Sequence, residues 1–454
     1  MPGYTLPQAW CGPGTIRSLQ LAAPGATGGT TSIAGLALPG IPNLHSHAFQ
    51  RVMGGLAERR ALGRDDFWSW REAMYRYAQT VGPDELRAIA AQLYLEMLEQ
   101  GYTEVCEFHY LHHQPSGARY QNPAAMSLAL IEAAAEVGIG LTLLPTLYMT
   151  GHFDGRPLGE RQRRFGHADV ESYLRLIESL LPYENATTHI GVALHSLRAV
   201  PADALRELEA GYADCRFAST LGPRPLHIHI AEQTAEVDDC ISLRGAPPVR
   251  WLLDNANVDE RWCLIHATHL RPDEVADLAR SKATAGICPT TEANLGDGLF
   301  PLEDYLAAGG VLGIGSDSHV STSPVEELRW LEYGQRLVKR QRIVSADQQG
   351  RAAEALLAQA IAAGPRVARA DLSGLWSGAA EGRVDFISID TDAAELASAH
   401  PDQWVECWLF NGNRPLVRDV VVDAKQQVIQ GRHRCRDAVE QRYRGVAKAL
   451  RDQL

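Results

Sequence analysis

The sequence predicts a fold of the α/β class, a (β/α)8 barrel with a small flanking β-sandwich. From about residue 38 to residue 371, short apolar runs alternate with longer amphipathic runs, a pattern typical of βα units around a parallel sheet. Eight such apolar runs are present, and polar residues able to do chemistry follow six of them. All strands of a barrel end at one face, whereas an open doubly wound sheet gives no reason for residues from so many strands to converge. We therefore expect one active site at the C-terminal face of a barrel.

The predicted strands are short apolar segments bounded by turn-forming residues. They span residues 38–44, 103–109, 139–147, 189–195, 225–230, 262–266, 284–288 and 311–316. Helical patterns lie between them, at residues 83–100, 122–137, 168–181, 201–214, 271–280 and 323–342. The clearest helical pattern begins at Pro83 and is followed by Gly101, the usual placement of proline and glycine around a helix.

The two ends of the chain differ from the barrel region. Residues 1–37 are rich in Gly, Ala, Thr and Pro and predict only a few short strands. After about residue 372, alternating positions predict antiparallel strands, at residues 383–389, 403–410 and 417–422, and residues 434–454 predict a charged terminal helix. We expect a barrel domain at residues 38–371, and a β-sandwich with the terminal helix built from residues 1–37 and 372–454.

Composition limits the function classes. The 454 residues carry a net charge of −12, so no basic footprint argues for nucleic acid. No apolar stretch is long enough to cross a bilayer, and the first residues lack the pattern of a signal peptide, so we expect no membrane partner. The eight cysteines are scattered without a Cys-x-x-Cys pair, which is typical of a reducing compartment. A cytoplasmic location is expected.

The first barrel strand ends in His45-Ser46-His47. Residues two apart on a strand point to the same side, so these two imidazoles form a clamp suited to a divalent transition metal. Further imidazoles and carboxylates stand at other strand ends: His227, His229 and Glu232 after strand five, His266 after strand six, and Asp317 after strand eight.

Each of these residues alone is more often structural, as a buried histidine bonded to a carbonyl or an aspartate that caps a helix. Five imidazoles and two carboxylates together are costly to bury unless they are paired or bind a metal. The set therefore predicts a metal site. A catalytic zinc site uses three or four protein ligands and activates a water, with Glu232, His266 and Asp317 then available for proton transfer.

This arrangement resembles the amidohydrolase superfamily, which has His-x-His after strand one, His after strands five and six, and Asp after strand eight. The resemblance covers the barrel and the flanking sandwich, nearly the whole chain. It implies that the metal is bound by His45, His47, His229 and Asp317. It also implies that His266 is the catalytic base or its partner.

The resemblance further implies one divalent metal ion per chain, with zinc the expected ion, although iron and manganese accept the same ligands. Binuclear members typically bridge two ions with a carboxylated lysine from strand four, which here ends in His195. The only lysines are elsewhere, at Lys282, Lys339, Lys425 and Lys448. Mononuclear members with His-x-x-Glu after strand five, here His229 to Glu232, are mostly deaminases in which the glutamate protonates the departing nitrogen.

Six runs resemble, more finely, the subfamily that hydrolyses N-formimidoyl-L-glutamate to N-formyl-L-glutamate and ammonia in histidine degradation. These runs are residues 42–51, 67–71, 107–110, 195–198, 227–233 and 315–319. In the implied mechanism an activated water attacks the formimidoyl carbon, His266 and Asp317 take its proton, and Glu232 protonates the leaving ammonia. The resemblance also implies a homodimer.

Such a substrate carries two carboxylates, so an acidic protein needs local cations and donors to bind it. Arg198 lies three residues past strand four, where an arginine can bind a carboxylate bidentately. The other candidates are Arg71 in the long excursion after strand one, Gln50 just past the metal clamp, and Tyr110 and His195 at the ends of strands two and four. Arg71 could instead pair with Glu72 at the surface, and Arg198 could simply begin a helix. We assign no role to His109, His112, His113 and His319.

Two other functions fit part of the pattern. A mononuclear deaminase of an aromatic base, of the guanine or adenosine type, would use the same metal site but would not need Arg198 to face the substrate. A barrel kept as a non-catalytic scaffold would be expected to lose ligands, and none is missing here.

Overall fold

The computed structural model describes residues 3–21, 29–58, 67–212, 223–368 and 383–453, with the backbone alone for residues 67–69. Two sheets organise these residues. A nine-stranded sheet forms the barrel, and an eight-stranded sheet lies beside it. One large hydrophobic core runs through the barrel and its surrounding helices, and a smaller one belongs to the outer sheet.

In chain order the described strands are β1 (Gly3–Trp10), β2 (Ile16–Leu21), β3 (Thr30–Ser32), β4 (Leu36–Pro39), β5 (Ile41–Ser46), β6 (Tyr102–His109), β7 (Gly140–Leu147), β8 (Thr188–Ile190), β9 (Val192–Ser196), β10 (Leu226–Ile230), β11 (Trp262–His266), β12 (Thr284–Ile287), β13 (Val311–Ile314), β14 (Phe386–Ile389), β15 (Val417–Val422), β16 (Lys425–Ile429) and β17 (Arg432–His433). The described α-helices are α1 (Phe67–Ala78), α2 (Pro83–Gln100), α3 (Ala125–Val137), α4 (Val170–Leu180), α5 (Ala202–Tyr212), α6 (Thr234–Arg244), α7 (Pro248–Asn255), α8 (Pro272–Ser281), α9 (Pro289–Leu295), α10 (Leu302–Ala307), α11 (Pro324–Lys339), α12 (Ala352–Val367), α13 (Trp404–Phe410) and α14 (Arg436–Arg451).

The barrel strands follow one another in chain order from β5 to β13, and neighbouring strands are parallel. The fourth position is divided at Gly191 into β8 and β9. A bridge between Ser46 and Asp317 closes the ring between the first and last strands. The predicted (β/α)8 barrel is confirmed, and each of the eight predicted strands overlaps an observed barrel strand.

The predicted helix at residues 83–100 coincides with α2. Its first turn contains Asp84 and Glu85, which suit the positive end of the helix dipole. The Glu85 carboxylate also accepts a hydrogen bond from the Gly82 N–H at 3.0 Å. Gly101 ends the helix in a left-handed conformation with φ of 109°, which glycine adopts without steric cost.

The predicted first strand, residues 38–44, is in fact shared between the two sheets. Leu36 to Pro39 pair with β14 in the outer sheet, and the barrel begins only at Ile41. The chain changes sheet at Gly40, where a Cβ atom would lie 2.2 Å from the Thr103 Oγ1. The outer sheet thus extends two residues past the predicted boundary at residue 37.

The predicted flanking domain is present and is built from both ends of the chain, and its strands form one continuous hydrogen-bonded sheet. Its order is β17-β16-β15-β14-β4-β1-β2, with β3 beside β1. Arg383 joins this sheet to the barrel, because its guanidinium lies 2.6 Å from carboxylate oxygens of both Glu104 on β6 and Asp385. Both carboxylates are buried and share the charge of this one guanidinium.

The prediction of a strand at residues 403–410 is wrong, because this segment forms α13. Its buried residues are Val405, Trp408 and Leu409. That spacing of three and four positions is helical, and the alternation that suggested a strand is interrupted by the adjacent pair Trp408 and Leu409. The predicted terminal helix is present as α14.

Within the described ranges, no helix combines the length and apolarity needed to span a bilayer. Seven of the eight cysteines are present there as free thiols, namely Cys11, Cys106, Cys240, Cys263, Cys288, Cys407 and Cys435. The eighth, Cys215, lies outside the described residues.

Candidate active site

The site lies where the chain leaves the C-terminal ends of the barrel strands. Five non-glycine residues in these turns have a positive φ: Ala231, His266, Ala267, Asp317 and His319, with φ between 45° and 69°. This conformation is strained for residues with a side chain and persists only where the surrounding structure enforces it. Its concentration at strand ends that carry predicted ligands indicates that the backbone is held in place to aim those side chains.

Three imidazoles and one carboxylate converge at the centre of this face. The Nε2 atom of His229 lies 2.9 Å from that of His45 and 3.3 Å from that of His47. The Asp317 Oδ1 lies 3.6 Å from His45 Nε2 and 3.5 Å from His47 Nε2. All four side chains are buried. These are the four residues that the sequence predicts as metal ligands.

The hydrogen bonds behind the imidazoles show that this arrangement fits a cation. Nδ1 of His47 donates to the Phe108 carbonyl at 2.8 Å, and Nδ1 of His229 donates to the His195 carbonyl at 2.8 Å. Since the carbonyls take the Nδ1 protons, both Nε2 atoms carry lone pairs. Two lone pairs that face each other at 3.3 Å repel unless they share a cation.

The protonation states agree with metal binding. Burial lowers the pKa of His47 to about 3, and burial with the neighbouring imidazoles holds the pKa of His45 and His229 well below the ordinary histidine value. Neutral imidazoles are the form that coordinates a metal. The donor set of three nitrogens and one carboxylate oxygen suits Zn²⁺ and other borderline divalent ions.

His266 stands beside this cluster among three carboxylates. Its Nε2 lies 3.8 Å from the Glu232 Oε1 and 3.7 Å from the Asp317 Oδ2, and its Nδ1 lies 3.2 Å from the Glu292 Oε1. Burial opposes the charged form of the ring, but the carboxylates outweigh burial and raise the pKa of His266 to about 10. The group can therefore hold a proton next to the predicted ligands, and the neighbouring carboxylates can exchange it.

Two residues that the sequence analysis did not select hold the ligands in place. Asn43 Oδ1 accepts hydrogen bonds from the N–H groups of His45 at 3.2 Å and Ser316 at 3.1 Å, and Asn43 Nδ2 donates to the Ser316 hydroxyl. Glu107 accepts from the Ser46 hydroxyl and the Ala48 N–H, each at 2.6 Å. The available signal is position, because Asn43 is two residues before His45 and its side chain lies on the same face of the strand.

A cavity opens over the cluster at the C-terminal face of the barrel. Every residue predicted to bind the substrate or transfer protons lines it, as do three of the four predicted ligands; His45 lies beneath. The residues of the cavity wall are His47, Gln50, Trp70, Arg71, Met74, Tyr75, Tyr110, Tyr148, Phe165, His195, Arg198, His229, Glu232, His266, Leu295 and Asp317.

Two arginines contribute to this wall. Arg71 belongs to α1, and its guanidinium lies over the Tyr75 ring, 5.5 Å from the centroid. It does not form the alternative pair with Glu72, whose carboxylate binds Arg161 at 2.5 Å. Arg198 is half-buried, and its Nε atom has no hydrogen-bond partner among the described residues. Both arginines are placed where they can meet an anionic group in the cavity.

Gln50 and Tyr110 form a neutral polar pair in the cavity wall. Gln50 Nε2 donates to the Tyr110 hydroxyl at 3.1 Å. The Gln50 Oε1 is buried and has no donor in the part of the chain that the structure describes. A carbonyl oxygen left in this way can accept a hydrogen bond from a ligand N–H group. His195 stacks edge-on against Tyr148 at 4.4 Å.

The other histidines named in the sequence analysis make structural contacts. His227 bonds through Nε2 to the Val367 carbonyl at 2.9 Å, as a buried structural histidine would. His112 and His113 bond to the carbonyls of Thr146 and Gly166. His109 packs against His112, and the His319 Nδ1 lies 3.1 Å from the Ser316 hydroxyl.

The barrel, the ligand cluster and the cavity above it define a metal-dependent hydrolase with its catalytic groups at the C-terminal strand ends. The profile of the amidohydrolase family matches residues 36–364, and the chain belongs to this family. A formimidoylglutamate deiminase of Pseudomonas aeruginosa is 50% identical over 408 residues, which cover 89% of this chain and 87% of that protein.

Solved structures show the same architecture. The crystal structure of an amidohydrolase from Brucella melitensis is 40% identical and has a TM-score of 0.85, with 99% of this chain and 100% of that chain covered. An adenosine deaminase from Xanthomonas campestris with bound zinc is 18% identical and has a TM-score of 0.77, with 99% and 98% covered. The second likeness shows the fold alone.

Proposed function

We propose that the enzyme hydrolyses N-formimidoyl-L-glutamate to N-formyl-L-glutamate and ammonia, a step of histidine degradation. The observation that carries this proposal is one cavity that contains both the acidic proton-transfer cluster and two arginines, Arg71 and Arg198. The substrate has an amidine at one end, which suits carboxylates, and two carboxylates at the other, which suit guanidinium groups. The relative from Pseudomonas aeruginosa with this activity in its name supports the assignment.

The reaction adds water across the formimidoyl carbon, so that a C–O bond forms and the bond to the terminal nitrogen breaks. His45, His47, His229 and Asp317 would hold a divalent ion, which when bound would supply an activated water at neutral pH. Asp317 Oδ2 receives the proton that the water gives up, and His266, whose Nε2 lies 3.7 Å away, helps to hold the attacking oxygen. Glu232, 3.8 Å from His266 Nε2, returns a proton to the nitrogen that leaves as ammonia.

The other cavity residues orient the substrate in this proposal. Gln50 Oε1 accepts a hydrogen bond from an amidine N–H, because it is buried without a donor in the described structure. Arg198 and Arg71 bind the carboxylates, and the aromatic rings of Tyr110 and Tyr148 line the space between. The His195 ring is held between these two aromatic rings and closes the side of the cavity.

The first prediction concerns the metal. We expect one tightly bound divalent ion per chain, with zinc the proposed ion, because one four-ligand cluster is present and the fourth barrel strand has no lysine. Elemental analysis after mild dialysis checks this, and two ions per chain would contradict it.

The second prediction concerns the proton donor. Glu232→Gln should keep its fold and its metal but lose kcat by ~10²–10⁴-fold, because the departing nitrogen loses its general acid. Ammonia release measures the turnover, and elemental analysis and thermal unfolding provide the controls. A variant with near-parental kcat removes Glu232 from the mechanism.

The third prediction concerns the substrate carboxylate. Arg198→Met should lower kcat/KM on formimidoylglutamate, with a loss of transition-state stabilisation of roughly 2–5 kcal/mol. The reason is that a buried carboxylate of the substrate loses its charged partner. The matched control is Arg156→Met, which removes an exposed arginine paired with Asp154 and should leave kcat/KM unchanged.

The same assay separates this function from deamination of an aromatic base. A substrate with both carboxylates amidated should be poor for the parent enzyme and should lose less on the Arg198 substitution. If Arg198→Met acts normally on formimidoylglutamate, or if the parent deaminates guanine faster, the anion-binding argument fails and the aromatic-base function replaces it.

We also propose that the enzyme is a homodimer whose interface includes α11. This helix exposes Trp330, Tyr333, Leu337 and Val338, with 42%, 36%, 72% and 68% of their surfaces accessible. The spacing places them on one face of the helix, and a contiguous apolar face of this kind is typical of an interface. A helix packed against its own copy satisfies twofold symmetry.

The fourth prediction tests this interface. Leu337→Glu should convert the dimer to a monomer, because it buries a charge without a partner at the contact. The control is Leu243→Glu on α6, which also changes an exposed leucine but leaves the α11 face intact. Sedimentation velocity at matched concentrations decides the result. A parent enzyme that sediments as a monomer, or a Leu337→Glu variant that remains dimeric, contradicts the proposed interface.

A further inference from the structure

The short helix α9 follows the seventh barrel strand, and three of its consecutive residues make side-chain contacts with neighbouring elements. Thr290 donates its hydroxyl and its N–H to the carboxylate of Glu327 on α11. Thr291 lies 3.0 Å from the hydroxyl of Ser318, next to Asp317. Glu292 contacts His266. The two residues directly before Glu292 are therefore attached to α11 and to the turn after β13.

Glu292 is buried, with 5% of its side chain exposed. One of its carboxylate oxygens, Oε1, accepts a hydrogen bond from the Cys288 N–H at 2.8 Å and lies 3.2 Å from the His266 Nδ1. Among the described residues, His266 is the only cationic group within 4 Å of this carboxylate. Burying a carboxylate that has only one cationic partner costs free energy, which indicates that the contact with His266 serves a function.

The contact is equally important for His266. In the described structure, Glu292 is the only group within hydrogen-bonding distance of its ring, since the Asp317 and Glu232 oxygens lie at 3.7 Å and 3.8 Å from Nε2. The backbone of His266 is also in the left-handed conformation, with φ of 69°. The direction of the imidazole is thus fixed at Nδ1, on the side away from the two acidic groups.

We propose that Glu292 is a positioning residue for His266. Its carboxylate accepts a hydrogen bond from the Nδ1–H group and so keeps Nε2 aimed between Asp317 and Glu232, the two residues to which the proposed function assigns proton transfer. The inference rests on that proposed function for the role of His266. A carboxylate that orients a histidine through its second nitrogen is a general device for setting the tautomer and the ring direction.

The test compares two isosteric variants of the zinc-loaded, full-length enzyme. Glu292→Gln removes the charge at the His266 contact. Glu327→Gln is the matched control, because it alters the other buried carboxylate that holds α9 but does not touch His266. We expect Glu292→Gln to lower kcat by about 10–100-fold, the usual effect of removing a group that orients a catalytic or metal-binding residue, with KM and zinc content near those of the parent. Glu327→Gln should lower the unfolding temperature while kcat stays near that of the parent.

A spectroscopic readout distinguishes positioning from a loss of stability. In protein labelled with ¹⁵N-histidine, the hydrogen-bonded Nδ1–H of His266 should give a downfield proton resonance, assigned by its loss in His266→Gln. This resonance should move upfield in Glu292→Gln and stay in place in Glu327→Gln. If Glu292→Gln does not fold, Glu292→Asp keeps the charge but shortens the reach, and the same kcat loss and resonance shift are expected.

The inference is overturned if Glu292→Gln turns over at the parental rate, if the resonance does not move, or if Glu327→Gln loses kcat to the same extent. Failure of the proposed function looks different. In that case the parent releases no ammonia from formimidoylglutamate, while the His266 resonance still responds to Glu292→Gln and the positioning role stands by itself.

Discussion

Closure of the barrel between β5 and β13 is the contact on which the site depends. The N–H groups of Ser316 and Asp317 both donate to the His45 carbonyl, and the His47 N–H donates to the Asp317 carbonyl. These hydrogen bonds join the first and last strands through residues that are also predicted metal ligands. Asn43 adds a side-chain link across the same seam. Folding of the barrel therefore brings together three of the four ligand groups, and a displaced seam would separate them.

Around this seam, many polar groups that differ in charge are buried close together. Imidazoles kept neutral by burial lie beside carboxylates that surround a protonatable His266. Each group is costly to bury alone, and their mutual contacts offset part of that cost. The arginines of the cavity stand apart on α1 and after β9. The site is thus divided into an acidic part that handles protons and a cationic part that can hold an anion.

The sequence predicted the barrel and the convergence of strand-end residues because both follow from local patterns. Alternating runs give the strands, and the C-terminal ends of parallel strands must meet. It did not predict the change of sheet at Gly40, which depends on the approach of Thr103, or α13, whose helical spacing is read correctly only when the buried residues are known. Asn43 and Glu292 were missed for another reason. They do not contact the space above the site but act through His45 and His266. The position of Asn43 two residues before His45 is a signal of its contact, whereas no spacing in the sequence reports the contact between Glu292 and His266.

The predicted metal ligands and the residues predicted to face a substrate come from different parts of the barrel. This separation explains how one architecture can serve different substrates. The predicted ligands come from β5, β10 and the turn after β13, which the barrel seam and core hold rigidly. The residues predicted to face a substrate include Tyr110 and Arg198, which follow β6 and β9, and Arg71 on α1. Loops can change length and composition at little cost to the barrel. The zinc-bound adenosine deaminase with 18% identity shares the fold throughout, so the fold alone does not set the substrate, and the proposed choice of substrate depends on cavity residues such as Arg71 and Arg198.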